Sequence, residues 1–124
     1  APINMNYALR EALRLVAEEG LEKRWQRHRE NAEMLWTGLK NIGLECHVAV
    51  EHRLPSLTTV RVPAGVDAKA VQGTLLNEYN IEIAGGLGEL AGKVWRIGLM
   101  GFNSRRENVW LLLNALKKTL SNLQ

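Results

Sequence analysis

Apolar positions recur at helical spacing in four stretches of the chain and alternate with polar ones in the segments between. Residues Ala1 to Asn6 read as extended, because Pro2 disfavours helix just before it and Asn4 or Asn6 can cap the next helix. From Tyr7 to Glu19, Leu9, Leu13, Val16 and Ala17 recur at steps of three and four, and Gly20 sits where a C-terminal cap belongs. A second helix is predicted from Leu21 to about Asn41. Its inward stripe is Leu21, Trp25, His28, Ala32, Leu35, Leu39 and Ile42, with Gly43 as the stop. His28 is the polar intruder in that stripe. It is either a functional histidine on an apolar face or a flank residue that finds one hydrogen bond.

After Gly43 the period changes from helical to alternating. Leu44 to Val50 and Leu57 to Val62 read as antiparallel neighbouring strands, joined through Glu51-His52-Arg53-Leu54-Pro55. Pro63-Ala64-Gly65 forms a turn. Asp67 caps a third helix to about Tyr79, with Val71, Leu75, Leu76 and Tyr79 facing in and Asn80 ending it. Ile81 to Ala84 is a short strand, followed by a glycine-rich loop from Gly85 to Gly92. Val94, Trp95, Ile97 and Leu99 outline a further strand with Arg96 inside it. Ser104-Arg105-Arg106-Glu107 reads as a capping box opening a last helix to about Leu120, whose inner face is Val109, Leu112, Leu113, Leu116 and Leu120. Strands and helices do not alternate regularly. The expected fold is therefore α+β: a small, mostly antiparallel sheet of about four strands covered by about four helices.

Composition narrows the function classes. The chain's 124 residues suffice for one domain. A net charge of +3 is small and scattered, as in Arg27-His28-Arg29-Glu30, and does not argue for nucleic acid. Cys46 is the lone cysteine, so there is no disulfide framework. No apolar run is long enough to span a membrane, neither end resembles a signal peptide, and a cytoplasmic location is expected. The start Ala1-Pro2-Ile3 lacks an initiator methionine, which fits a piece cut from a longer protein.

Arg96 is the residue with the clearest chemical demand. A guanidinium in a buried-looking strand must meet an anion, since an unpaired buried charge is very unfavourable. Its planar fork suits a carboxylate, which it can grip through two parallel hydrogen bonds. An internal salt bridge, or an edge position with the head in water, satisfies the same demand. Gly86-Leu87-Gly88-Glu89-Leu90-Ala91 matches the dinucleotide pattern G-x-G-x-x-A, but a strand follows where that fingerprint needs a helix. A phosphate-binding P-loop fails too, because Val94 replaces the required Ser or Thr. The loop is then a flexible turn or a bare backbone wall beside Arg96. Cys46, His47 and His52 are close in sequence, yet Cys46 and His47 would point to opposite strand faces and no second ligand pair exists at a zinc spacing, so no metal is expected. Trp25, Trp36, Trp95 and Trp110 read as core or interface anchors.

Several separated motifs then fall in one order: Tyr7-Ala8-Leu9-Arg10-Glu11-Ala12-Leu13; Trp25-Gln26-Arg27-His28-Arg29; Arg53-Leu54-Pro55-Ser56-Leu57-Thr58-Thr59-Val60; Asn80-Ile81-Glu82-Ile83 with Gly85-Gly86-Leu87-Gly88; and Gly92-Lys93-Val94-Trp95-Arg96-Ile97-Gly98-Leu99-Met100-Gly101. Together they resemble the C-terminal, small domain of the alanine–glyoxylate / serine–pyruvate aminotransferase family, cyanobacterial members above all. These are pyridoxal-phosphate enzymes of fold type I. The similarity covers essentially the whole chain, 1–124.

The resemblance implies a role for Arg96 as the residue that binds the substrate α-carboxylate, with Gly85, Gly86, Leu87 and Gly88 as candidate pocket lining. It implies a homodimeric whole enzyme acting on small amino and oxo acids, transferring an amino group from alanine or serine to glyoxylate or pyruvate. It also implies what this segment lacks. The cofactor lysine, the aspartate at the pyridine nitrogen and the stacking aromatic belong to the large domain, upstream of the match. None of Lys23, Lys40, Lys69, Lys93, Lys117 or Lys118 stands in the family's cofactor-lysine context. The chain alone is thus expected to hold no pyridoxal phosphate, no catalytic residue and no transaminase activity. Alternatives are a free-standing binding module with the same fold, or another fold-type-I enzyme such as a cysteine desulfurase or a phosphoserine aminotransferase.

Overall fold

A computed structural model describes residues 2–122. The first helix, α1 (Ile3–Glu19), begins four residues earlier than the pattern predicts. The expected extended start is therefore wrong for residues 3–6, while Ala1 lies outside the described residues. Pro2 occupies the position before the helix, where a missing N–H does no harm, and its carbonyl accepts the Asn6 N–H at 3.2 Å. Neither Asn4 nor Asn6 caps the helix. Gly20, at φ 81, separates α1 from α2 (Leu21–Asn41) as expected.

The expected inner face of α1 is a second correction. No residue of α1 is buried, and Leu9 remains 59% exposed. The periodicity of Leu9, Leu13, Val16 and Ala17 is real, but among the described residues no layer lies beneath it, and α1 makes its main contacts with α2. The stripe of α2 divides likewise. Ala32, Leu35 and Leu39 are fully buried, whereas Leu21 and Trp25, near α1, stay exposed.

Among the described residues the sheet has three antiparallel strands rather than about four. They are β1 (Leu57–Arg61), β2 (Ala84–Gly85) and β3 (Val94–Gly98), in the spatial order β1-β3-β2. Arg96 pairs with Thr59 on one side and Ala84 on the other, so the arginine sits in the central strand. The strand expected over residues 44–50 reduces to one antiparallel bridge, Cys46 with Val60. It is flanked by bonds from His47 N to Thr59 O and from Arg61 N to Glu45 O, both 2.8 Å. Beyond it the Arg53 Nε–H takes the Val48 carbonyl at 2.9 Å, and Val50–His52 winds into a 3₁₀ turn. The next strand also starts late. Asn80 ends α3 (Ala68–Tyr79) in the left-handed conformation, so Ile81–Ile83 reverse the chain and only Ala84–Gly85 pair.

Helices cover one face of the sheet. Trp95 and Ile97 of β3, with Leu99 just beyond it, pack with Val60, Leu35, Leu39, Val71, Leu75, and Leu112 and Leu116 of α4 (Arg106–Asn122) in one core. Such fully buried side chains contribute roughly 1.5–3 kcal/mol each. Trp95 is completely buried and its Nε1–H donates to Ala68 O at 3.1 Å, which satisfies the indole's polar atom. Trp36 donates to Thr58 Oγ1 at 2.9 Å. Trp25 and Trp110 are exposed and are not core anchors, and Leu76, expected inside, is 48% exposed. Asp67 caps α3 as expected, accepting from the Lys69 and Ala70 amides. Among the described residues no helix is long and apolar enough to cross a membrane.

Leu35→Ala should lower unfolding stability by roughly 2–5 kcal/mol. Leu9→Ala should change it by less than about 0.5 kcal/mol. Urea titration of the two variants checks the contrast, and equal losses would mean that α1 is packed after all.

Candidate active-site face

Residues directly paired in a sheet point to the same face. Trp95 and Ile97 point to the helices, so Arg96 points to the side away from them. The pairings place His47, Thr59, Arg96 and Ala84 in one row across that side. Arg96 is half-buried there. Its Nε–H donates to the Gly85 carbonyl at 2.8 Å, which fixes the guanidinium plane and leaves the two terminal nitrogens without a hydrogen bond among the described residues. It takes part in no ion pair among the described residues. The internal salt bridge that the sequence left open is therefore not formed.

The glycine-rich segment splits between two roles. Gly85 belongs to β2 and touches Arg96 directly. The Gly86 N–H pairs with Val94 O at 2.9 Å, one step along the same edge. A Cβ at Gly86 would lie 2.0 Å from the Leu90 carbonyl oxygen, so only glycine fits where the loop folds back on itself. Leu87 is exposed and Gly88, at φ 54, opens the 3₁₀ turn Gly88–Leu90; no hydrogen bond joins either to Arg96. A cleft of about 250 Å³ lies at the sheet edge against α4, lined by Asn80, Glu82, Gly98, Asn103 and Asn108 among others, and does not include Arg96. The guanidinium is thus not part of that cleft.

The remaining candidates do not converge on it. Cys46 pairs with Val60, a core residue, which puts His47 on the opposite face as expected. Burial pushes the Cys46 thiol up, which disfavours its thiolate. No group of three His, Cys, Asp or Glu side chains among the described residues could hold a metal ion. Lys23, Lys40, Lys69, Lys93, Lys117 and Lys118 are all exposed.

A cluster that the sequence did not disclose grips the turn after the arginine strand. Arg27 pairs through Nε and Nη2 with Glu19, at 2.5 and 3.0 Å. Its Nη1 donates to the carbonyls of Gly101 and Ser104, at 3.1 and 2.6 Å. Arg24 also holds Glu19, at 2.8 Å. The Asn31 amide donates to Ser104 Oγ at 3.2 Å. That hydroxyl faces α2 and not the start of α4, so the predicted capping box is not what holds Ser104. His28 makes two hydrogen bonds rather than one: its Nδ1 lies 2.7 Å from Arg24 O, and its Nε2 accepts the Gly101 N–H at 3.0 Å. The available signal was the i, i+1, i+4 spacing of Arg27, His28 and Asn31 on one helix face.

The profile of the Aminotransferase class-V family matches residues 1–111. The chain belongs to the class-V aminotransferases. It is 47% identical over 116 residues to the (S)-ureidoglycine–glyoxylate transaminase of Bacillus subtilis, covering 94% of this chain and 28% of that one. It is 47% identical over 122 residues to the alanine–glyoxylate aminotransferase of Callithrix jacchus, covering 98% and 30%. The crystal structure of the alanine–glyoxylate aminotransferase from Nostoc sp. superposes with a TM-score of 0.94 at 66% identity, over 97% of this chain and 32% of that one. This class-V chain therefore spans about three tenths of the length of such relatives.

Two outcomes are expected. Gly86→Ala should destabilise the protein by roughly 1–3 kcal/mol. Gly85→Ala should be nearly neutral, because its Cβ would meet only the Gln72 amide at 3.6 Å; thermal unfolding of both checks this. The second concerns acid. Arg27 and Arg24 hold the Glu19 carboxyl down to about 2 from its ordinary 4.5. A depressed carboxyl contributes stability that is fully present above about pH 4.5 and is lost as pH falls through about 2. The urea-midpoint gap between the wild type and Glu19→Gln should be constant above that window and narrow within it.

Proposed function

We propose that this chain is the small, C-terminal domain of a homodimeric, cytoplasmic aminotransferase that moves an amino group from alanine or serine to glyoxylate or pyruvate. Arg96 is the residue that binds the substrate α-carboxylate. The observation that carries this reading is the half-buried guanidinium with its Nε tied to Gly85 and, among the described residues, no partner for its terminal nitrogens and no acid of its own. A carboxylate approaching the open face meets both terminal N–H groups end-on, a planar two-point grip that also fixes the substrate's orientation. The named relatives support glyoxylate as an acceptor, since both ureidoglycine–glyoxylate and alanine–glyoxylate enzymes share it.

Enzymes of this kind use pyridoxal phosphate to stabilise the carbanion formed at the amino-acid α-carbon. The residues of this chain do not fit that group by themselves. Its lysines all stand in solvent, none of them enclosed as a cofactor-holding lysine would be. The cofactor and its lysine belong to the larger remainder of the enzyme. This chain's share is to hold and orient the substrate carboxylate, with Gly85 and Gly86 lining the same edge and Leu87 and Gly88 continuing the loop. The partners are small amino and oxo acids, not nucleic acid or membrane.

A charge-assisted pair of this kind contributes roughly 1.5–3 kcal/mol. Arg96→Leu in the full-length enzyme should therefore lower kcat/KM for alanine and glyoxylate about ten- to a hundred-fold. Arg96→Lys should fall between, because a point charge replaces the fork. Unchanged steady-state kinetics in Arg96→Leu would overturn the assignment.

A further inference from the structure

We infer that His28, as the neutral imidazole protonated on Nδ1, is a positioning residue for Arg96. This rests on the reading of Arg96 as the carboxylate-binding residue. The donor and acceptor pattern dictates the tautomer. Nε2 faces a backbone N–H, which can only donate, so Nε2 offers its lone pair and the ring proton resides on Nδ1, directed at the Arg24 carbonyl.

The mechanical argument starts from the weakness of one edge. Arg96 is paired on the β2 side by a strand of only two residues, and beyond Arg96 no β2 partner continues the ladder. On the other side β1 pairs with all five residues of β3, Thr59 opposite Arg96, so the part of the strand left to be fixed is its end beyond Gly98. Among the described residues two anchors hold that end. Leu99 N–H donates to Ser56 O at 2.9 Å on the β1 side. The turn Gly101–Asn103 is then held by α2, and the points of attachment divide by chemistry. Arg27 takes the carbonyls of Gly101 and Ser104 and Asn31 takes the Ser104 hydroxyl, so these are donors from the helix. His28 supplies the acceptor for the Gly101 amide. Gly101 stands at φ 61, a left-handed conformation in which its N–H turns toward α2. Without His28 the Arg27 bonds still pull on the carbonyls, but the orientation of the Gly101 peptide is no longer fixed from its amide side.

The group sits among charges that do not replace it. Arg24, Arg27 and Glu19 are engaged with one another, and Arg24 Nη2 comes within 3.7 Å of where a Gly101 Cβ would be. All the nearby cations are donors, so none can take over as acceptor.

Three measurements on the protein test this. A long-range ¹H–¹⁵N spectrum of the 124-residue chain should show the His28 ring as the Nδ1–H tautomer; the Nε2–H tautomer would overturn the inference. Hydrogen exchange at the Gly101 amide should be protected in wild type, about two- to tenfold faster in His28→Leu and restored in His28→Gln, whose side-chain oxygen can take the same amide. In the full-length enzyme His28→Leu should raise KM for glyoxylate about two- to tenfold with kcat within about twofold. His28→Gln should recover most of that loss. A KM that responds to Arg96→Lys but not to His28→Leu overturns this inference alone. A KM that responds to neither overturns the Arg96 reading, and the positioning role falls with it. Should His28→Leu fail to fold, the tautomer and the His28→Gln exchange rate decide the matter.

Discussion

A guanidinium cannot be left dry and unpaired, and Arg96 avoids that fate in an unusual way. It sits in the central strand, paired with Thr59 on one side and Ala84 on the other, yet it has no carboxylate partner among the described residues. The sheet tolerates this because helices cover only one of its faces. On that face Trp95, Ile97 and Val60 exclude water and hold the strand down. On the other, the arginine keeps access to solvent, and a single carbonyl, that of Gly85, sets its plane. The alternation of β3 thus separates two jobs one residue apart. Odd positions bind the strand to the protein, and Arg96 projects from the opposite side.

That division explains why the glycines cluster where they do. A side chain at Gly86 would collide with the Leu90 carbonyl, so the loop could not return to start β3. The short β2 is a consequence of the left-handed turn at Asn80, which uses up Ile81–Ile83 in reversing direction. A longer β2 would bring further side chains against Arg96. A two-residue strand brings Ala84 and Gly85, which leave space around the guanidinium and supply one acceptor.

Much of this could be read from residue order. The lower half of α2, the cap of α3 with its Val71 and Leu75, the apolar face of α4 and the arginine strand follow from periodicity and caps, because there the buried positions coincide with the sequence stripe. Periodicity failed where amphipathicity and burial part company. The Leu9–Leu13 stripe of α1 has helical spacing but no surface beneath it. Residues 44–50 alternate properly, yet Arg53 captures the Val48 carbonyl and bends the chain out of the sheet after one bridge. Ser104 carries a capping pattern, but a competing donor from Asn31, seventy-three positions away in sequence, takes the hydroxyl. Long-range partners of this kind leave no local trace, and the grip of Arg27 and His28 on Gly101 belongs to the same class.

Glyoxylate makes the geometry of the arginine more consequential than it would be for a larger acid. The molecule is a carboxylate joined to an aldehyde, with no side chain for a pocket to hold. On the proposed reading, nearly all of its specific binding comes from the two-point grip on the carboxylate, and the grip alone decides where the carbonyl carbon points. A guanidinium plane free to rotate would bind such a substrate in several orientations, most of them unreactive. The Gly85 carbonyl removes that rotation at Nε, and the anchored turn beyond Leu99 keeps the strand from carrying the whole side chain away. A small substrate therefore transfers the burden of orientation from its own shape to the backbone that holds Arg96.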